Sequence, residues 1–167
     1  MIRSILLIFI LLLGCGGQAQ TKTEREGEPA IYSVTDEDAQ MNAAMQKAKE
    51  TLPKFTEALL DNRPETRNFA LKKAFATIDG GKEHIWISNI TLQGMQFVGI
   101  VGNVPNKIPS LALGDSVSIE SDEVSDWMYL ENNVLAGGYT IRLLYQRMSP
   151  AEQEHFSKET SIVIGPE

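Results

Sequence analysis

Few side chains in this sequence are of types that do chemistry, and they are scattered. The chain holds two histidines and one cysteine in 167 residues. His84 stands in Glu83-His84-Ile85-Trp86, at the start of a strand-like run. There an imidazole could shuttle a proton or bind a metal, or be hydrogen-bonded locally at a strand end. His155 lies beside Glu152 and Glu154 and reads as a solvated helix residue. The pair shows no His-x-x-x-His spacing, so no metal site is expected. Asp122, Glu123 and Asp126 gather just before Trp127. Close carboxylates shift one another's pKa and can divide into acid and base. With His84, Glu123 and Asp126 would make a small hydrolase if one cleft held them within ~10 Å. Calcium is another reading, although the spaced oxygens of an EF-hand loop are missing. The plain alternative is a loop with Asp126 accepting backbone N–H groups at a turn.

Trp127 and Tyr129 alternate on a strand and so share a face, which Trp86 could join. Beside Asp126 such a face could stack a sugar or a peptide ring, or be half-buried core. Trp86, Asp126, Trp127 and Tyr129 are therefore the candidate binding residues. The chain has no Gly-x-Ser-x-Gly, no familiar Ser/His/Asp spacing and no nucleotide fingerprint, so no cofactor is implied. Gly137-Gly138 lacks the Lys-Ser/Thr of a phosphate loop, and a bulge or a close strand crossing is expected there.

Composition narrows the field. The formal charge is −7 and the pI is near 4.9. Nucleic acid is excluded as a partner, because phosphate binding needs a basic face. Apolar residues are 43% of the chain and mean hydropathy is −0.15, which suits one globular domain with appendages. One cysteine rules out an internal disulfide framework.

The average hides two compositions. Residues 5–13 are apolar without a break and follow Arg3, as in a secretory signal. Nine residues span about 14 Å, too short for a ~30 Å hydrocarbon core. The run ends Leu12-Leu13-Gly14-Cys15, which resembles a bacterial lipobox. The resemblance implies cleavage before Cys15, a diacylglycerol thioether on its sulfur and acylation of the new amino group. Several acyl chains, at ~0.8 kcal/mol per buried CH₂, make a durable anchor in the bilayer. Gly16 rather than Asp follows the cysteine, which by the same resemblance favours the outer membrane, facing the periplasm. The expected division is thus a signal peptide over 1–14, a lipid-anchored flexible tether over 15–34 without helical or strand period, and one domain over 35–167.

In that domain Met41, Met45, Ala48, Leu52, Phe55 and Leu59 recur at three- and four-residue spacing. They predict a long amphipathic helix, kinked near Pro53 and ended by Asp61-Asn62-Arg63-Pro64. Residues 69–77 permit helix or strand, although Asp79-Gly80-Gly81 before Ile85-Trp86-Ile87 suggests a hairpin. Strand patterns follow at 95–101, 115–119, 126–130 and 139–145. Ser149-Pro150-Ala151-Glu152 predicts a short helix to about residue 158. The sum is α+β: a helix packed on a mainly antiparallel sheet of about six strands, with a short C-terminal helix. A small SH3-like barrel is the alternative.

Three blocks in this order carry a further resemblance. They are Asp38-Ala39-Gln40-Met41-Asn42-Ala43-Ala44 through Thr51-Leu52-Pro53-Lys54-Phe55; Glu83-His84-Ile85-Trp86; and Ser125-Asp126-Trp127-Met128-Tyr129 with Gly137-Gly138-Tyr139-Thr140. Together they resemble the YegJ-like family, a bacterial domain of unknown function, over roughly residues 36–158. The resemblance implies that residues 69–77 are a strand, and it brings no activity, substrate or site residues. The functional expectation is a non-catalytic, lipid-anchored envelope protein whose domain binds a protein or an envelope ligand. Its alternatives are a small hydrolase using Asp126, Glu123 and His84, and an immunity or stress-protection protein acting on a basic partner by charge.

Overall fold

A computed structural model of the protein describes residues 21–25, 28–33 and 38–166. The signal-like residues 1–14 and Cys15 lie outside the described residues. The chain divides into two units, residues 1–38 and residues 39–167. In the first, β1 (Thr21–Arg25) pairs antiparallel with β2 (Glu28–Ser33), with Thr21 opposite Ser33 and Thr23 opposite Ile31. Residues 21–25 and 28–33, read from the sequence as part of a tether without strand period, are thus strands. Thr21, Thr23, Ile31 and Tyr32 are strand formers on either side of a short Glu26-Gly27 joint. Thr21 and Thr23 are themselves polar and Ile31 and Tyr32 are adjacent, so a period-two apolar reading passes over them.

The second unit begins with α1 (Ala39–Asp61), which turns Met41, Ala48, Leu52, Phe55 and Ala58 inward. The helix continues through Pro53. Proline removes one N–H from the helical ladder and crowds the carbonyl four residues back. On the turn before Pro53 the Trp127 indole N–H donates to the Ala48 carbonyl at 3.0 Å, with the Thr51 hydroxyl at 3.2 Å. Phe55 is the hub of the core, its ring 5.6, 6.0 and 5.9 Å from Phe69, Phe97 and Trp127.

Six strands form the sheet under α1: β3 (Thr66–Ala76), β4 (Lys82–Gln93), β5 (Gln96–Val101), β6 (Ser116–Ile119), β7 (Val124–Glu131) and β8 (Val134–Gly137). Their order is β6-β5-β4-β3-β7-β8, with every neighbouring pair antiparallel. The segment 69–77, open in the local pattern, is strand. Asn132 and Asn133 make a two-residue turn with both φ positive, the hairpin geometry that fits strand twist.

Bulges bend the strands. Asn68 and Asn89 sit in the left-handed region where β3 and β4 each slip one residue against a partner, and Ser125 is the extra residue in β7. Opposite the β4 bulge only glycine fits at position 99, because a Cβ there would lie 2.6 Å from Ile90 Cδ1 and 2.7 Å from the Ser88 carbonyl. The sheet curls as a result. Flat strands three places apart stand ~14 Å from each other. Lys73 on β3 nevertheless reaches the Ser118 carbonyl on edge strand β6 at 3.2 Å. The sheet still does not close: β6 and β8 remain its edges, which replaces the barrel alternative with an open sheet.

Two helices follow. Residues 139–145, expected as the last strand, belong to α2 (Tyr139–Arg147); β8 takes the strand's place. Tyr139, Thr140 and Ile141 are strand formers by propensity, and a distant side chain overrides them, as described below. The predicted start of α3 (Pro150–Thr160) is borne out: the Ser149 hydroxyl accepts from the Glu152 N–H, and the Ser149 N–H donates to the Glu152 carboxylate. Phe55→Ala should cost about 3–5 kcal/mol in urea unfolding, since it empties the hub of the aromatic cluster. Leu60→Ala, at a position 65% exposed, should stay within about 0.5 kcal/mol.

Candidate functional site

Pairing across the sheet decides which candidate residues can meet. Asp126 on β7 stands opposite Lys72 on β3, and Lys72 opposite Trp86 on β4. Directly paired residues share a face, so Asp126, Lys72 and Trp86 form one row. The neighbouring row reads Trp127, Leu71 and Ile87, and it faces α1 in the core. Trp86 therefore does not join Trp127 and Tyr129. Trp127 is 2% exposed and stacked 6.0 Å from Tyr129, which in turn stacks 5.0 Å from Phe69. Both rings are core, which removes them as a contact surface and leaves Trp86, half-buried, on the opposite face.

Asp126 is wholly buried. One carboxylate oxygen accepts from its neighbour Trp127 N at 2.8 Å and from Tyr139 N at 3.1 Å. The other accepts from Thr140 N at 2.8 Å and from the Thr140 hydroxyl at 2.6 Å. Tyr139 and Thr140 open α2, whose N-cap position is Gly138, in the left-handed region and without a side chain to cap anything. Asp126 thus caps from another strand the N–H groups that every helix start leaves unmet. Gly137 and Gly138 permit the close approach: a Cβ on Gly137 would collide with the Trp127 ring and carbonyl. The expected close crossing at these glycines is what the structure has.

Lys72 completes the group. Its ammonium donates to the Thr140 hydroxyl at 3.1 Å and lies 5.4 Å from the centre of the Trp86 ring, within cation–π range. Burial pushes the Lys72 ammonium down from its ordinary value, opposed by the Asp126 charge. Burial pushes the Asp126 carboxyl up, opposed by Lys72 and by the donors on its oxygens.

His84 is two residues from Trp86 on β4. Its Nδ1 is 2.8 Å from the Ser125 hydroxyl, which donates to the Lys72 carbonyl at 3.1 Å. Glu123 goes elsewhere. It closes a one-turn 3-10 helix (Ser121–Glu123), accepts from Glu120 N at 2.9 Å and pairs with Lys73 at 2.6 Å. Lys73 follows Lys72 in β3, so the lysines that hold Glu123 and Asp126 leave opposite faces of the sheet. The carboxylates do not converge on a cleft with His84. Hydrogen bonding to Lys73 holds the Glu123 carboxyl below its ordinary value. Among the described residues no three His, Cys, Asp or Glu side chains gather as a metal-binding group, and no helix is long and apolar enough to cross a membrane.

Sequence reasoning singles out Asp126 and His84 but passes over Lys72, Ser125 and Thr140. A lysine inside the apolar run Phe69-Ala70-Leu71-Lys72-Lys73-Ala74-Phe75 is the available sign, since a half-buried cation calls for a counter-charge.

The geometry defines an α+β domain with a buried carboxylate that caps a helix across the sheet. Residues 38–163 match the family described as "Uncharacterized protein conserved in bacteria (DUF2314)", and the chain belongs to that family. It is 34% identical over 101 residues to "Uncharacterized protein YegJ" of Escherichia coli K12, covering 60% of this chain and 64% of that one. It is 31% identical over 146 residues to a Neisseria meningitidis serogroup B protein named "Putative ankyrin repeat protein", covering 83% of this chain and 58% of that one. The chain thus spans about three fifths of the length of these curated relatives. No solved structure matches.

Asp126→Ala should lower stability by about 3–5 kcal/mol in chemical denaturation, because it leaves the start of α2 without its buried cap and half-buried Lys72 without its counter-charge. Glu123 behaves differently with pH. Its folded-state value is lowered, so its contribution is present above the ordinary glutamate value and is lost as pH falls through that value and below. Glu123→Gln should therefore flatten the acid side of a stability–pH curve and leave the neutral side nearly parallel to wild type.

Proposed function

We propose that the chain is a non-catalytic, lipid-anchored protein of the cell envelope, held in the outer membrane through acylated Cys15, whose periplasmic domain binds a protein or an envelope ligand. The observation that carries this reading is the unbroken apolar run 5–13 ending in Leu12-Leu13-Gly14-Cys15. Nine apolar residues are too few to span a bilayer, yet suit a signal that is removed. The domain supports the non-catalytic half. The Asp126 oxygens are taken up by four protein donors, Glu123 by Lys73 and a backbone N–H, and His84 Nδ1 by Ser125. Trp86, half-buried beside Lys72 on the face away from α1, is the aromatic best placed to meet a partner.

Metabolic labelling with radioactive palmitate tests the anchor. The wild-type chain should take up label and fractionate with outer membranes, and Cys15→Ser should do neither. An unlabelled wild-type chain overturns the reading. The binding half is tested by crosslinking the tagged, anchored protein in living cells. Trp86→Ala should leave the domain folded and lose any partner recovered, whereas Trp127→Ala should lower stability by about 3–5 kcal/mol.

A further inference from the structure

The outer edge of β8 is closed by the chain itself. Asn133 O accepts from Val163 N at 3.0 Å, and Leu135 N donates to Val163 O at 2.9 Å, which sets Val163 parallel to Val134. One residue pair further on, Arg142 replaces the ladder. Its guanidinium donates to Leu135 O at 2.5 Å and Gly137 O at 2.8 Å on β8, and to Gly165 O at 2.6 Å on the added segment. The seat is thus a strand-addition site built of one bridge and one arginine, and it fits an extended, β-branched peptide. Ile162-Val163-Ile164-Gly165 is such a peptide.

The occupant is lightly held. Val163 is 53% exposed and Val134 37%. None of the residues of α3, which leads into the segment, is buried. The helix meets α2 through Phe156 against Tyr145, at 5.6 Å, and through Gln153, which donates to Tyr145 O at 2.9 Å. Elements with few buried apolar contacts open at low cost. Residues 148–149 link α2 to α3, and Pro150 prevents the two helices from merging into one without a break.

We propose that residues 149–165 form an exchangeable arm, which leaves its seat on one copy and takes the same seat on β8 and Arg142 of a second copy. The second copy is the occupant the chemistry favours, because it supplies the same segment and remakes every contact named above. Exchange of an identical element creates a dimer without a new interface.

The test uses the full chain in detergent. Cys15→Ser removes the native thiol, and Val134→Cys with Val163→Cys places a thiol on each side of the bridge, where paired strands bring Cα atoms within disulfide range. Two populations with different tags are mixed, incubated at increasing concentration and oxidised. The expected result is a disulfide between the two introduced thiols, identified by peptide mass, in dimers that carry both tags and increase with concentration. A disulfide found only within single chains at every concentration overturns the proposal. Light scattering on the Cys15→Ser chain gives a second measurement if the introduced thiols hinder folding. A dimer that Pro150→Ala strengthens, so that about ten-fold less protein is needed to form it, is expected, equivalent to a gain of about 1.4 kcal/mol, because the variant lets α2 and α3 run on as one helix that carries the arm off its own seat. A monomer throughout, or a dimer indifferent to Pro150→Ala, overturns it.

Discussion

The Asp126 carboxylate is the constraint on which the second half of the domain is hung. It has no exposure, and its four donors come from two places, the next residue in β7 and the first turn of α2. A helix start leaves N–H groups unmet, and Gly138 has no side chain with which to meet them. The carboxylate supplies that cap from the sheet. It needs a counter-charge once buried, which Lys72 gives, and Lys72 needs cover, which Trp86 and Thr140 give. The order of dependence runs from one buried charge to a helix, a lysine and an aromatic. A buried charge adds little net stability but makes the alternatives costly, because either partner left alone is strongly unfavourable.

How far the fold is legible follows from where each signal lies. The α1 stripe and the Ser149-Pro150-Ala151-Glu152 start are local, and each is where the pattern puts it. Residues 139–145 read as strand because their propensities say so, and the cap that makes them helix lies in Asp126, thirteen residues before Tyr139. The bulges at Asn68, Asn89 and Ser125 leave no local trace for a similar reason: a register slip is a property of two strands. The plain reading of Asp126, an acceptor of backbone N–H groups at a turn, is correct in kind, while the element it serves is a helix that its own neighbourhood does not announce. Trp127 and Trp86 cannot be separated by spacing alone. They fall on opposite faces because Trp86 pairs through Lys72 with Asp126, one residue before Trp127.

The same economy governs the edges of the sheet. Open strand edges invite pairing with other chains and are usually blunted. Here two cations do part of that work. Lys73 reaches across the curled sheet to Ser118 on β6, and Arg142 takes two carbonyls of β8. These lysine and arginine side chains, with Lys72, spend their charge inside the domain.

The most direct test of this account is amide hydrogen exchange, residue by residue, on the Asp126→Asn variant beside wild type. An amide in place of the carboxylate keeps the shape and removes the charge that caps α2. Protection should fall selectively over Tyr139–Arg147 while Leu71 and Ile87 in the sheet keep theirs. Unchanged protection in α2 would contradict the claim that Asp126 sets where that helix begins.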